Sequence, residues 1–406
     1  LESTLKAIFF LAAMTCSVSV VASAAQSVPA VNNDPIASLV SQLDLQRYKA
    51  TIKSLTQFGD RRQGTERNRN AIDWIETQLK SYGCATERLK YEYLEVGRTG
   101  SEPKVEVASP ASGSEPARTL GGGRGRYVRN PTFLNGDPNR QPDAKLRALN
   151  TPPAVPGPRE EVYCTKIGTV HPDEMYIVSA HMDGHGWGEA ANDNGSGTAL
   201  VMELARILNA PGVTTERTIR FALWNNEETG HQGSRAYVEQ RQALQGKETP
   251  VGSGKYPEPK WLGMIQHDMM LFDHGAPRPD GSISPVQRPE ADINIEFQSK
   301  AKFASQANTL AWAIEGANEK YASDYPAVIG SHMTNTDSVD FQDAVASVSL
   351  RENERGTQIG SGWDPHWHQP TDVFTTFSDK DFRLGLNAAQ TTLAAVAQLA
   401  GVGLKK

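Results

Sequence analysis

Cysteine is scarce: three occur in 406 residues, and neither Cys84 nor Cys164 has the neighbouring thiols that a zinc–thiolate cluster needs. Charge of one sign is not in large excess either. A formal net charge of -6 excludes a general nucleic-acid binder, whose domains are strongly basic, and is too small to mark an acidic tail. No internal repeat is present, which removes solenoids and propellers. The long apolar run AIFFLAAMTCSVSVVA falls short of the ~20 residues that a membrane span prefers. What remains is a globular chain, 38% hydrophobic and 22% charged, long enough for one large domain or two smaller ones.

That apolar run follows Lys6 and precedes Ala22-Ser23-Ala24, the small-x-small pattern of a secretory cleavage site. The pattern predicts a signal peptide over residues 1–25, a periplasmic or secreted protein, and no stable membrane association once the leader is removed. Met14-Thr15 before Cys16 is not a lipobox. Export would leave Cys84 and Cys164 in an oxidising compartment, where one disulfide or two separate buried thiols are both open.

Ile36, Leu39, Val40 and Leu43, then Tyr48, Ile52, Leu55 and Phe58, recur at helical spacing, as do Ile72, Ile75, Leu79 and Tyr82 before Gly83. Residues 26–96 are therefore expected to be helices packing on the catalytic domain. Residues 97–158 turn to Pro, Gly, Ser and Arg, with GGGRGRY at the centre, and are expected to be a loop insertion shaping the rim of the site. A phosphate cradle there would need a strand before it and a helix after it, and neither is evident.

From 159 to 406 strands alternate with helices. EVYCTKIGT, EMYIVSAH, TIRFALW, WLGMIQHDMM and AVASVSL have strand character, while TALVMELARIL, GSRAYVEQRQAL and the stretch Ser305–Glu319 are helical. Phe272–Lys302 has the Pro and Gly content of a loop, and Ser378-Asp379-Lys380-Asp381 resembles a capping box opening a last helix. A βαβαβ rhythm of this kind predicts an α/β domain with a largely parallel sheet and helices on both faces. Ligands then bind beyond the carboxyl ends of the strands.

Metal-ligating residue types stand where those strands stop. His181 and Asp183 are two apart and share a face, and Asp183 is placed to orient the imidazole. Asp193 sits in Asn-Asp-Asn-Gly-Ser-Gly, a turn able to aim a carboxylate. The sequon at Asn194 is discounted because burial at such a site excludes glycan. Glu227 and Glu228 follow an apolar strand and can serve different targets, one on metal and one as a proton carrier. Asp268 is costly inside an apolar strand unless paired or metal-bound, whereas His267 beside it is expected to be a buried structural residue. His366 and His368 are both candidates by composition, and Pro370 and Asp372 favour His368. Taken singly, each could be a solvated pair or a plain turn.

The ordered series AHMD, ANDNGSG, NEETGHQGS, IQHDM and HQPTD, together with GDRRQGTERNRNAIDWIETQLKSYG, resembles the co-catalytic zinc peptidases of metallopeptidase family twenty-eight, clan MH. The resemblance covers most of Thr51–Leu399. It implies a single phosphorylase/hydrolase-like three-layer αβα domain with a central mixed sheet and an N-terminal helical segment. It implies two zinc ions per chain, one held by His181 and Asp268, the other by Glu228 and His368, with Asp193 bridging and a cis peptide after it. Glu227 is then the general base, and Asp183, as the partner of the His181 imidazole, is counted with it among the catalytic residues. The implied activity is exopeptidase action on a peptide substrate, most simply as an aminopeptidase. Carboxypeptidase or dipeptidase action, a single-zinc glutaminyl-cyclase-like acyl transfer, and a non-catalytic binding module are the alternatives. Thr336-Asp337-Ser338 departs from the family's Ser-Asp-His, and GHGWGEA after Asp183 leaves open whether His185 and Trp187 line a specificity pocket or simply pack.

Overall fold

The computed structural model describes residues 34–93, 137–272, 293–331, 335–352 and 364–405. The expected signal peptide and residues 94–136 of the Pro/Gly-rich segment lie outside these. The strands are β1 Ala85–Tyr91, β2 Arg159–Lys166, β3 His171–His181, β4 Val213–Thr215, β5 Arg217–Trp224, β6 Lys260–His267, β7 Ile293–Glu296, β8 Ala327–Gly330, β9 Ser347–Glu352 and β10 Val402–Leu404. The helices are α1 Pro35–Val40, α2 Leu45–Thr56, α3 Glu66–Ser81, α4 Ala144–Asn150, α5 Gly195–Leu208, α6 Gln232–Arg241, α7 Ala304–Tyr321, α8 Ser338–Phe341 and α9 Asp379–Leu399.

Along β3, Met175 and Ile177 point to one face of the sheet while Val178 and Ala180 point to the other, and both sets are buried. β5 repeats the pattern, with Ala222 and Trp224 opposed to Phe221 and Leu223. A strand buried on both faces needs cover on both, which fixes a three-layer arrangement. One face packs against α2, α3, α5, α7 and α9, through residues such as Ile52, Ile75, Leu204, Ile314 and Val396. The other meets Tyr237 of α6 and Phe341 of α8, which cluster with Trp224 and Trp261.

The eight-stranded sheet has the order β1-β2-β5-β3-β6-β9-β7-β8. Its four inner strands, β5, β3, β6 and β9, are mutually parallel, while β2 and β7 run against their inner neighbours. The sheet is thus mixed and largely parallel at its centre, in an α/β fold. β4 and β10 form a separate two-stranded ribbon. Ser378 N–H donates to Asp381 Oδ2 at 2.7 Å, the capping box seen in the sequence.

Three expectations need amendment. The segment before residue 97 is not helical throughout, because β1 pairs with β2 as an edge of the main sheet. Within 97–158, α4 is a helix capped by Asp143, whose carboxylate accepts from Lys145 N and Leu146 N. Within Phe272–Lys302, β7 pairs with β8 and β9. Cys84 and Cys164 form a disulfide with Cα atoms 5.7 Å apart. It closes a loop of 80 residues, worth about 4–5 kcal/mol in the chain-entropy picture. No helix among the described residues is long and apolar enough to cross a membrane.

Candidate metal centre

Because β5, β3, β6 and β9 are parallel neighbours, their carboxyl ends share one edge of the sheet. His181 is the last residue of β3, Asp268 follows the last residue of β6, and Glu227 and Glu228 lie on the short 3-10 turn Glu227–Thr229 beyond β5. Asp193 stands just before α5, with a cis peptide to Asn194. His368 comes from the segment 364–372 laid over that edge.

Two clusters result, joined by one carboxylate. His181 Nε2 is 3.4 Å from Asp193 Oδ1 and 3.4 Å from Asp268 Oδ1. His368 Nε2 is 3.2 Å from the other oxygen of Asp193 and 3.0 Å from Glu228 Oε2. His185 joins the second cluster, with Nε2 3.0 Å from the same Glu228 oxygen. Glu227 lies beside both, its main-chain N–H donating to Asp183 Oδ1 at 3.1 Å, and His231 Nε2 is 3.4 Å from Glu227 Oε1. With Gly230, Met269, Asn335, Arg351 and Trp367, the residues Asp193, Glu227, Glu228, Asp268 and His368 line a cavity of about 190 Å³.

The supporting contacts explain why the loops lie where they do. Asp372 accepts from Asn192 N at 2.8 Å and from Asp193 N at 3.1 Å, so it anchors the backbone that carries Asp193. The carboxylate that the sequence offers as a possible support for His368 thus faces those amides instead. Asn192 Nδ2 donates to Glu352 and Asp364, each at 2.9 Å. Arg61, fully buried, donates to the main-chain carbonyls of Met182, Glu189, Ala190 and Gly59. Gly186 has φ +97°, and a Cβ there would lie 2.4 Å from the carbonyl carbon of His368; only glycine lets the two loops stack this closely.

Five carboxylates, Asp183, Asp193, Glu227, Glu228 and Asp268, are gathered here, and the Arg351 guanidinium touches one of them, 2.5 Å from Asp268 Oδ2. Burial acts to lower the pKa of both cluster imidazoles. For His181, Glu227 and Asp268 outweigh it and raise the pKa well above the ordinary value. For His368, Glu228 and Asp193 lift it to about 10. Burial acts to raise Glu228, but His185 and His368 bring it down to about 2. Burial dominates at Glu227 and raises it, with His181 and His231 opposing. An anionic cluster of this density calls for a cation.

The donor set fits one. His185, Glu228 and His368 form one group with one ligand atom each within 4.8 Å of the others, and His181, Asp193 and Asp268 form a second. His185 Nε2 and Glu228 Oε1 are buried without a hydrogen bond of acceptable geometry. Imidazole and carboxylate together suit zinc and similar first-row ions.

The structure therefore brings together His181, Asp193, Glu227, Glu228, Asp268 and His368, with Asp183 beside them. Asp183 meets His181 Nδ1 first through its main-chain carbonyl, at 3.1 Å, while its carboxylate is 3.7 Å away. His366 is turned to Thr371. His267 is buried with its ring on Ser179 O and Thr392 Oγ1, as a structural residue should be. Asn194 is buried and caps α5. Trp187 does not line the cavity; Trp367, stacked on His368 with centroids 3.9 Å apart, does. Sequence reading missed Arg351, although a charge inside the apolar stretch SVSLRE signals a buried partner.

A mixed αβα sheet with imidazoles and carboxylates beyond its parallel strands defines a class of metal-dependent folds. The family model of Peptidase family M28 matches residues 163–392, more than half of the chain, and the protein belongs to that family. Among similar proteins, aminopeptidase YwaD of Bacillus subtilis is 45% identical over 69 residues, 17% of this chain and 14% of that protein. Carboxypeptidase Q of Xenopus laevis is 34% identical over 73 residues, 18% of this chain and 16% of that one. The matched segments thus span well under a fifth of either relative. The solved aminopeptidase from Aneurinibacillus sp. strain AM-1 superposes with a TM-score of 0.58 at 18% identity, covering 90% of this chain and 96% of its own, which shows the shared fold.

Proposed function

We propose that the protein is an exported di-zinc exopeptidase that removes residues from the free amino end of peptides. The observation that carries this is Asp193, one oxygen of which is 3.4 Å from His181 in the cluster with Asp268 while the other is 3.2 Å from His368, the arrangement a bridging carboxylate needs. His181 and Asp268 would hold one zinc, and Glu228 and His368 the other. When bound, such ions lower the pKa of a water toward ~7 and polarise a carbonyl. Glu227, held beside both clusters by its main-chain N–H on Asp183, takes a proton from the attacking water and returns it to the leaving amine. Asp183 fixes the main chain of Glu227 and the tilt of the His181 ring. The disulfide supports an oxidising location, periplasmic or secreted.

The amino-end reading is supported by the aminopeptidase relative rather than by the carboxylates lining the cavity, which would be engaged by the two ions and as the base. Arg351, on the same lining, favours the second reading, a carboxypeptidase or dipeptidase that seats a free carboxylate. Peptides blocked at one end separate the two: amino-terminal acetylation abolishes cleavage by an aminopeptidase, and unchanged cleavage refutes that reading. A count of one zinc per chain in active protein would instead favour the cyclase-like alternative.

A further inference from the structure

We infer that His185 is a metal ligand, so that the two halves of the centre are unlike: one is closed by four protein donors and the other stays open. This rests on the di-zinc reading and extends it to a residue outside the ligand set that the sequence suggests. His185 and His368 approach Glu228 as a pair. Their rings are 4.1 Å apart and perpendicular at 89°, and each Nε2 is 3.0 Å from the same Oε2. Asp193 Oδ2 completes the set, 3.2 Å from His368 Nε2.

A tetrahedral zinc with bonds of about 2.0–2.2 Å keeps its ligand atoms roughly 3.3–3.5 Å apart. The contacts that join His185 to Glu228, Glu228 to His368 and His368 to Asp193, at 3.0, 3.0 and 3.2 Å, are close to that spacing, and the His185, Glu228 and His368 donor atoms all lie within 4.8 Å of one another. The local chain is built to deliver His185 there. Gly184 and Gly186 each face a neighbour that a Cβ would strike, Ala190 Cβ at 2.5 Å and the His368 carbonyl carbon at 2.4 Å. The loop is thereby pressed onto the segment that carries His368, and His185 is held between the two contacts.

The other half has three protein donors, His181 Nε2, Asp193 Oδ1 and Asp268 Oδ1. The second oxygen of Asp268 is engaged by Arg351, which draws charge from that half. Structural zinc sites are closed by four protein ligands, and catalytic ones keep a position free. The His185 half accordingly anchors its ion and ties the 184–188 loop to Glu228 and the 364–372 segment. The His181 half exchanges its ion readily.

The test uses the full chain loaded with zinc, with metal content measured after dialysis against graded concentrations of a chelator. Wild type should lose one ion per chain early and hold the second. His185→Gln should release the retained ion at a chelator concentration lower by about 10-fold or more. With cobalt(II) replacing zinc, the variant should also shift the visible d–d bands, which a residue outside the coordination sphere would leave in place. Far-UV circular dichroism checks that the variant is folded, and His185→Ala is a second variant should Gln itself coordinate. His368→Gln serves as the positive control. If wild type and both His185 variants show the same retention and the same cobalt spectrum while His368→Gln alters them, the inference fails and the di-zinc reading stands. Absence of zinc from wild type overturns both.

Discussion

Replacing Arg61 by methionine tests whether the site loop is held from beneath. The guanidinium is fully buried and makes hydrogen bonds of 2.9, 3.2, 2.8 and 2.7 Å to the carbonyls of Met182, Gly59, Glu189 and Ala190. Three of those carbonyls belong to the loop that leads from His181 to Asp193. Hydrogen bonds to a charged donor contribute roughly 1.5–3 kcal/mol each, so a plain sum would be ~6–12 kcal/mol. Bonds that share one donor group are not additive, and the half-buried Glu189 can turn its carbonyl to water. Roughly 4 kcal/mol is the expected loss, similar to breaking other buried charged contacts. With a total stability of about 5–15 kcal/mol the variant still folds. With an urea m-value near or above ~3 kcal/mol/M its midpoint falls by about 1 M. Zinc retention should fall in parallel, because His185 sits in the released loop and His181 and Asp193 flank it. Lysine should not restore stability, since one ammonium cannot span four carbonyls. A methionine variant whose urea midpoint stays within ~0.2 M of wild type would refute the reasoning.

Two further expectations follow from the same geometry. Glu227→Gln should keep its zinc and lose about 10²–10⁴ of kcat, the range for a positioned general base; retained turnover with metal intact would remove Glu227 from that role. His267 links stability to pH, because burial lowers its pKa from 6.5 to about 4. Above pH ~6.5 the ring is neutral in both folded and unfolded chains and contributes no slope. Between pH ~6.5 and ~4 the unfolded chain binds a proton that the folded one does not, so stability falls with pH, by about 3 kcal/mol in total. Urea midpoints measured from pH 7 to pH 4 should drop more steeply for wild type than for His267→Gln; identical slopes would contradict the neutral, buried ring.

Much of this site could be found in the sequence because four of its residues interrupt an apolar pattern at a strand end. His181, Glu227, Glu228 and Asp268 are marked by the strands before them, and parallel neighbours bring such ends together. His185 carries no such mark. It sits in a glycine-rich loop, and its approach to Glu228 depends on how that loop stacks on residues far downstream. Arg61 was hidden for a similar reason: GDRRQGTERN lies between two helical patterns, Arg61 takes a left-handed φ of 50°, and three of its four partners lie more than 120 residues away. In the fold, the inner strands were evident from apolar runs. β7, β8 and β10 were not, since each is only three or four residues long, too short for alternation to rise above its proline- and glycine-rich surroundings.

A single carboxylate, Asp193, serves both clusters, and this makes the two halves partners in linkage. Any ion that polarises or reorients Asp193 from one side changes the free energy of occupation on the other, and the coupling must be equal in both directions. A substitution at His368 should therefore be felt in the affinity of the His181 half, and one at Asp268 in that of the Glu228 half. With an ion in each half, the centre would behave as one thermodynamic unit joined through Asp193.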